Sequence, residues 1–168
     1  MTQPWSLWLL PGNRENGKYA RIIKKLNLRN GLPSFDPHLT LFGRINANPE
    51  PFFEFFKNMA NKQKAISTKI KKIKYGTSYW KSFYIDIEKS SSLEALQKQM
   101  IAPINHLRDY LFDPHLSLAY GSTDEMSYLT KEINLEKVIS FNSVGIAFVP
   151  VNVDSWKIID KFEFNFDL

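Results

Sequence analysis

Two histidines of this sequence lie in nearly identical seven-residue segments. Residues 35–41 read Phe-Asp-Pro-His-Leu-Thr-Leu, and residues 112–118, which start 77 positions later, read Phe-Asp-Pro-His-Leu-Ser-Leu. On an extended strand, residues i and i+2 point to the same face. His38 therefore projects with Thr40, and His115 with Ser117. The sequence predicts two equivalent halves, each carrying one histidine-hydroxyl pair.

Such pairs suit acid–base chemistry on phosphorus. If His38 and His115 face each other across a groove, one imidazole can accept a proton while the other donates one, since histidine titrates near neutral pH. The hydroxyls of Thr40 and Ser117 can donate hydrogen bonds to phosphate oxygens as charge accumulates there. Either half alone would be interpreted as a turn histidine and a strand-forming hydroxyl residue. The repeat, which uses two of the three histidines, favours a catalytic site.

The composition limits the alternatives. The chain has 168 residues and no cysteine, which excludes disulfides, thiolate metal sites and cysteine nucleophiles. Metal binding by the paired histidines is the competing interpretation, but Asp36 and Asp113 precede prolines, where they cap turns. We therefore expect no metal and no other cofactor. The net charge of +5 favours anionic partners.

Hydrophobic periodicity indicates the elements that position the motifs. It predicts strands over residues 6–10, 39–44, 65–75, 80–88, 116–119, 138–149 and 156–166, and helices over 18–28, 51–61, 91–101 and 122–133. Ser91 with Glu94 is a capping-box pattern at the start of the third helix. We expect an α+β fold that forms one domain over residues 1–168. No apolar stretch is long enough to span a bilayer and no signal peptide is evident, so we expect a cytoplasmic protein. We also expect a monomer.

The paired motifs resemble those of a known superfamily. His38-Leu39-Thr40-Leu41 and His115-Leu116-Ser117-Leu118 are similar to the H-x-[ST]-x signature of the 2H phosphoesterases. The segments 5–11 (Trp-Ser-Leu-Trp-Leu-Leu-Pro) and 76–80 (Gly-Thr-Ser-Tyr-Trp) resemble the cyclic phosphodiesterases of plants and yeast. The resemblance implies a bilobal, pseudo-twofold fold with two antiparallel sheets around a central cleft and helices outside.

The resemblance also implies an activity and a set of site residues. It implies metal-independent hydrolysis of nucleoside 2′,3′-cyclic phosphates or ADP-ribose 1″,2″-cyclic phosphate. The catalytic residues would be His38, Thr40, His115 and Ser117, and the residues bordering the substrate would be Trp8, Trp80 and Tyr120. From the residues alone, Trp8 could equally belong to the core and Trp80 could cover a sheet edge. Trp80 and the adjacent charge of Lys81 leave the substrate preference open.

Two alternatives remain at this stage. One is an RNA-end enzyme of the same superfamily, either 2′-5′ RNA ligase-like or a 2′-5′ oligonucleotide phosphodiesterase. The other is a non-catalytic module that binds nucleotides or RNA. The expected partner is a small cyclic-phosphate nucleotide, or RNA ends in the alternatives, and not a membrane. Four lysines of the third strand, at positions 69, 71, 72 and 74, are expected to be solvated and would attract RNA phosphates in the RNA-end alternative.

Overall fold

The computed structural model describes residues 3–121, 130–131 and 133–165. These residues form strands β1 (Trp5–Pro11), β2 (Leu39–Ile45), β3 (Ile66–Ser78), β4 (Lys81–Ile87), β5 (His115–Ala119), β6 (Val138–Phe148) and β7 (Lys157–Glu163), and helices α1 (Asn13–Asn30), α2 (Phe53–Asn61) and α3 (Ser91–Ile101). The α+β class is confirmed. Nine of the twelve residues of the fourth predicted helix, over 122–133, and the last residue predicted for the final strand lie outside the described residues.

Local signals account for the end of α1 and the start of α3, the latter with one correction. Helix α1 ends at Gly31, whose φ of 63° is the left-handed conformation that glycine adopts without strain. Helix α3 is capped by Ser90, whose side chain accepts a hydrogen bond from the backbone N–H of Leu93. The prediction of a cap at Ser91 was therefore wrong by one residue, because Ser90 holds the extended backbone that a cap requires.

The strands pair throughout in antiparallel fashion, in the order β1-β2-β5-β4-β3-β6-β7. A further pairing of β1 with β6 makes the first six strands of that order a closed circuit. The prediction of two sheets is corrected to one continuous sheet. One part of this sheet consists of β1, β2, β6 and β7, and the other of β3, β4 and β5. The two parts are joined by the pairing of β3 with β6 and by one residue pair between β2 and β5. The joins give partners to backbone groups that would otherwise lie unpaired at inner edges.

The pseudo-twofold relation passes through the contact between the two motif strands. Leu39 of β2 pairs with Leu116 of β5, and these leucines are equivalent positions of the sequence repeat. Both are fully buried, as are Leu41 and Leu118. The leucines therefore face the core, as their alternation with the histidines and hydroxyls predicts.

Each half also holds the motif strand of the other half. Asn27 of α1 donates a hydrogen bond of 3.0 Å to the carbonyl oxygen of Leu118 in β5. Gln97 of α3 donates one of 3.1 Å to the carbonyl oxygen of Leu41 in β2. Both amides are buried, and the two accepting leucines are again equivalent in the repeat. These reciprocal bonds fix the relative position of β2 and β5 from outside the sheet. None of the described helices is long and apolar enough to cross a membrane.

Candidate active site

Both motifs contribute to one cavity on the face of the sheet opposite the leucines. Because Leu39 and Leu116 are antiparallel partners, the register sets His38 across from Ser117 and Thr40 across from His115. The cavity has a volume of about 170 Å³. It is lined by Ser6, Trp8, His38, Thr40, Gly43, Arg44, Trp80, Tyr110, His115, Tyr120, Val149 and Trp156. The structure thus brings both predicted histidines to one site.

His38 lies in an aromatic enclosure and is 5% exposed. The Trp8 ring stacks on its imidazole, with centroids 3.7 Å apart and an interplanar angle of 12°. Trp156 and Phe35 approach it at 5.9 Å and 6.1 Å. Burial in these surroundings lowers the pKa of His38 to about 4, against the opposing effect of its hydrogen bond to the backbone of Asp36. His38 is therefore neutral at neutral pH.

His115 is half-buried and lies among charges. The Tyr84 ring meets it edge-on at 5.3 Å, and Lys81 forms an ion pair with Asp113 two residues before the histidine. Burial, followed by the charge of Lys81, lowers the pKa of His115. The backbone hydrogen bond to Asp113 and the charges of Asp113 and Asp86 act in the opposite direction. The two imidazoles therefore share a motif but differ in environment.

The two rings are oriented by the same backbone contact. Nδ1 of His38 lies 2.7 Å from the carbonyl oxygen of Asp36, and Nδ1 of His115 lies 2.7 Å from that of Asp113. A carbonyl oxygen only accepts hydrogen bonds, so Nδ1 carries the proton in both rings. Nε2 is then the nitrogen of each histidine that gains or loses a proton during a reaction.

The two hydroxyls of the motifs are held differently. Thr40 lies on the cavity wall, and its carbonyl oxygen accepts a hydrogen bond of 3.3 Å from the hydroxyl of Tyr110. Ser117 is 4% exposed and shares a side-chain hydrogen bond with Tyr120. Burial raises the pKa of Tyr120, and the bond from Ser117 lowers it. Thr40 thus faces the cavity, whereas Ser117 is tied to a neighbouring side chain.

The three predicted substrate-bordering aromatics all line the cavity, but they offer different surfaces. Trp8 is 1% exposed, and one face of its ring is covered by the His38 imidazole. Tyr120 is 4% exposed and packs against Trp156 with centroids 5.2 Å apart. Trp80 is 38% exposed and lies nearly parallel to Trp156, at 6.0 Å and 11°. Trp80 therefore has the ring most accessible to a ligand.

Sequence reasoning missed six residues that line this cavity, among them Arg44, Tyr110 and Trp156. Trp156 follows a 3₁₀ turn at Val153–Ser155 and reaches the site only through the pairing of β6 with β7. Tyr110 precedes the second motif in a segment without periodicity. The only local signal was at Arg44, a charged residue within a strand that is otherwise apolar from Leu41 onward.

The site offers proton-transfer groups rather than a ligand cluster. Within residues 3–121, 130–131 and 133–165, no three histidine, aspartate or glutamate side chains come together as metal ligands. Asp113 is paired with Lys81, whose hydrogen bond and charge hold the pKa of that carboxyl down against the raising effect of burial. Asp86 is paired with Lys74 at 2.6 Å.

Comparison with known proteins gives the fold its context. No curated protein sequence is significantly similar to the chain. Among solved structures, TT0787 of Thermus thermophilus is similar with a TM-score of 0.63 and 12% identity, covering 98% of this chain and 100% of that one. Escherichia coli LigT in its apo form gives a TM-score of 0.61 and 10% identity, covering 97% and 98%. At these identities the likeness shows a shared fold.

A family model identifies the chain more directly than the solved structures do. The model described as "Cyclic phosphodiesterase-like protein" matches residues 1–164, which is almost the whole sequence. The closer resemblance to the plant and yeast enzymes stays a prediction. With its duplicated histidine motifs on one cavity and its LigT-like fold, the chain belongs to the cyclic phosphodiesterase-like family of the 2H phosphoesterase superfamily.

Proposed function

We propose that this protein is a metal-independent phosphodiesterase that opens the cyclic phosphate of nucleoside 2′,3′-cyclic phosphates, ADP-ribose 1″,2″-cyclic phosphate, or both. One observation carries the proposal: His38 and His115 line one cavity, and Nε2 is the proton-exchanging atom of each. The cyclic phosphodiesterase-like family supports this class of reaction. Solved structures of LigT complexed with phosphate and with 3′-AMP give further support for a nucleotide ligand.

The proposed reaction is a hydrolysis with two proton transfers. A water oxygen attacks phosphorus and forms a new P–O bond while Nε2 of one histidine takes the water proton. The P–O bond to one ribose oxygen breaks, and Nε2–H of the other histidine protonates that oxygen. The product is a phosphate monoester beside a free hydroxyl. Proton exchange with solvent then returns both imidazoles to their starting states.

The different environments of the histidines favour one assignment of roles. A general base must begin neutral and a general acid must begin protonated. Burial holds the pKa of His38 at about 4, so His38 is the group that remains neutral. The pKa of His115 is lowered as well, but the charges of Asp113 and Asp86 oppose that shift, so His115 is the more readily protonated of the two histidines. We therefore assign His38 as the base and His115 as the acid.

The remaining residues of the site would stabilise and orient the substrate. Thr40 would donate a hydrogen bond to a non-bridging phosphate oxygen, whose charge grows during attack. Ser117, which lies across from His38, would do the same by exchanging its bond with Tyr120 for one to the phosphate. The exposed ring face of Trp80 is suited to stacking against a nucleobase. Trp8, stacked on His38, would position the base rather than contact the substrate.

The second candidate is an RNA-end activity, and one observation favours it. Lys72 and Lys74 of β3 are cross-strand partners of Asp86 and Tyr84 in β4, which in turn pair with His115 and Ser117. The register therefore puts these lysines on the same face of the sheet as the second motif, where they could contact phosphates beyond a terminal nucleotide.

One panel of substrates tests the proposal. The purified protein, in EDTA, is offered the four nucleoside 2′,3′-cyclic phosphates, ADP-ribose 1″,2″-cyclic phosphate, a 2′-5′ dinucleotide and a short RNA ending in a 2′,3′-cyclic phosphate, and ³¹P NMR follows the products. We expect ring opening of a mononucleotide substrate in EDTA. Turnover confined to the dinucleotide or the RNA would select the second candidate. Binding without turnover would make the protein a nucleotide-binding module, and activity that requires added zinc would contradict the metal-independent mechanism.

A further inference from the structure

Arg44, on the wall of the candidate active site, has an unusual backbone. Its φ is 54°, and among the described residues it is the one non-glycine residue with a positive φ. This left-handed conformation is unfavourable for residues with a β-carbon. Strained residues of this kind concentrate at functional sites, where the surrounding structure holds them in place.

The second half of the molecule also has a positive φ after its motif strand, but at a glycine, which adopts this conformation without strain. Gly121, which is 77 positions after Arg44 and is therefore its equivalent in the repeat, has a φ of 110°. Both motif strands are thus followed by a residue with positive φ, and glycine suffices for that purpose. The backbone alone does not explain an arginine at position 44, so the explanation lies in its side chain.

The side chain of Arg44 is fixed at the rim of the cavity that holds both histidines. Its Nη1 donates a hydrogen bond of 2.9 Å to the carbonyl oxygen of Val149, and its Cζ lies 5.4 Å from the centroid of the Trp80 ring. The backbone N–H donates to Oγ of Ser6 at 3.0 Å. Within the part of the chain that the structure describes, Arg44 forms no ion pair with a carboxylate, so its charge is available to an anion.

A second cavity shares Arg44 with the candidate active site and is lined by neither histidine. It has a volume of about 290 Å³ and is lined by Arg44, Ile45, Asn46, Ala47, Leu107 and Arg108. Arg108 is held there by a hydrogen bond of 2.7 Å from Nη1 to the carbonyl oxygen of Gly43. The lining contains two arginines and no acidic residue. Arg44 belongs to both cavities and connects them.

We propose that Arg44 and Arg108 form a second anion subsite, which binds a phosphate or diphosphate group of the substrate that is separate from the cyclic phosphate. Guanidinium groups suit phosphate because their planar donors match its oxygens. The inference rests on the proposed function for the position of the cyclic phosphate. It selects, among candidate substrates, those with a second anionic group over simple nucleoside cyclic phosphates.

Product-like ligands test the subsite without requiring turnover. Calorimetry compares adenosine 2′-monophosphate with adenosine 2′,5′-bisphosphate at low salt. We expect the wild-type protein to bind the bisphosphate roughly 10-fold or more tightly than the monophosphate, as for a charge-assisted contact. Arg44→Gln should reduce this preference to about twofold or less. Arg21→Gln, which makes the same change on the exposed face of α1, is the matched control and should keep the wild-type preference.

A second variant separates the subsite from a purely structural role for Arg44. Arg44→Gly places at position 44 the residue that the other half uses, so it should melt no lower than the wild type and still lose the preference for the bisphosphate. An unchanged preference in Arg44→Gly or Arg44→Gln, or no preference in the wild type, overturns the subsite. An Arg44-dependent preference in a protein that hydrolyses no cyclic phosphate supports the subsite and overturns the proposed function instead.

Discussion

The two halves of the molecule use the same motif in different surroundings. In each half the histidine donates from Nδ1 to the carbonyl oxygen two residues earlier, and an aromatic residue of the neighbouring strand pairs with the motif hydroxyl residue: Trp8 with Thr40, and Tyr84 with Ser117. Trp8 stacks flat on His38 at 3.7 Å, whereas Tyr84 meets His115 edge-on at 5.3 Å. The equivalent aromatic positions therefore enclose one imidazole and leave the other half-open.

The two histidines also differ in the charged groups around them. Around His38 the close neighbours are rings, including Phe35 and Trp156. Around His115 they include Lys81 and Asp113, which form an ion pair. Duplication of the motif thus supplies two similar imidazoles, and the residues around each determine its protonation. This asymmetry is what a reaction with one base and one acid requires.

The largest expected effect comes from removing each histidine. His38→Gln and His115→Gln should each lower kcat by roughly 10²-fold to 10⁴-fold on a cyclic nucleotide, because each removes one proton transfer. A 4-nitrophenyl phosphodiester separates the two roles, since its leaving group departs without a proton. On that substrate the defect of His115→Gln should shrink to about 10-fold or less, while the defect of His38→Gln remains.

His106→Gln is the matched control, because this third histidine is exposed, in a 3₁₀ turn at Asn105–Leu107. It should leave both rates unchanged. If the kcat defect on the 4-nitrophenyl phosphodiester shrinks in His38→Gln rather than in His115→Gln, the assignment of base and acid is reversed. Equal recovery of both variants would mean that the asymmetry of the two halves does not divide the catalytic roles.

The next effect concerns the hydroxyls, which also differ between the halves. Thr40→Val and Ser117→Ala should each lower kcat by roughly 10-fold to 10³-fold with a smaller change in KM, because their hydrogen bonds strengthen in the transition state. Tyr120→Phe removes the hydroxyl that bonds to Ser117 and should lower kcat by less than about 10-fold. Steady-state kinetics measures all three.

Ser140→Ala is the control for these variants, because its hydroxyl bonds to that of Ser67 on the exposed pairing of β3 with β6. A loss in Tyr120→Phe as large as that in Ser117→Ala would give the tyrosine a direct role. If KM rises and kcat is constant in Thr40→Val, then Thr40 binds substrate and transition state equally.

Much of the fold was predictable from the sequence. Apolar runs and the alternation of apolar residues predicted all seven strands, and a turn residue, Gly31, marked the end of α1. The join between the two parts of the sheet was not predictable. It depends on the pairing of β3 with β6 and on one pair between β2 and β5, Leu39 with Leu116, and short patterns carry no information on such long-range pairing.

The candidate site was likewise predictable in part from the sequence. His38 and His115 were predicted to share a cleft because a repeated segment implies equivalent positions in two halves, and the structure brings them to one cavity. Their difference in pKa was not predictable, since it depends on enclosure by residues distant in sequence, such as Trp156. Arg44 was missed because a strand pattern does not reveal a residue with positive φ.

A smaller effect is expected in stability. The pKa of His38 is about 4 in the folded protein and 6.5 for an unperturbed imidazole, so between these values the unfolded chain binds a proton that folded His38 does not. The free energy of unfolding should therefore rise with pH from about 4 to 6.5, by up to roughly 3 kcal/mol from this group. His38→Gln should flatten the rise, measured by urea unfolding, more than His115→Gln does. Equal flattening would contradict the difference in burial.

The smallest effect tests whether Trp8 is the cause of that difference. Stacking of Trp8 excludes water from His38, and burial is the largest cause of its lowered pKa. Trp8→Leu leaves a gap that water can enter, so the pKa of His38 should rise by about one unit toward its ordinary value. Tyr84→Leu removes an edge contact from an imidazole that is already half-open, so the pKa of His115 should move less. NMR titration of the imidazole protons reads both values without requiring activity, and only three histidines contribute signals.

The acid limb of the kcat/KM profile should move to higher pH in Trp8→Leu, because the base is then protonated at higher pH. A pKa of His38 that stays near 4 in a folded Trp8→Leu protein would assign the enclosure to Phe35 and Trp156 instead, and the asymmetry of the halves would not originate in the paired aromatic positions.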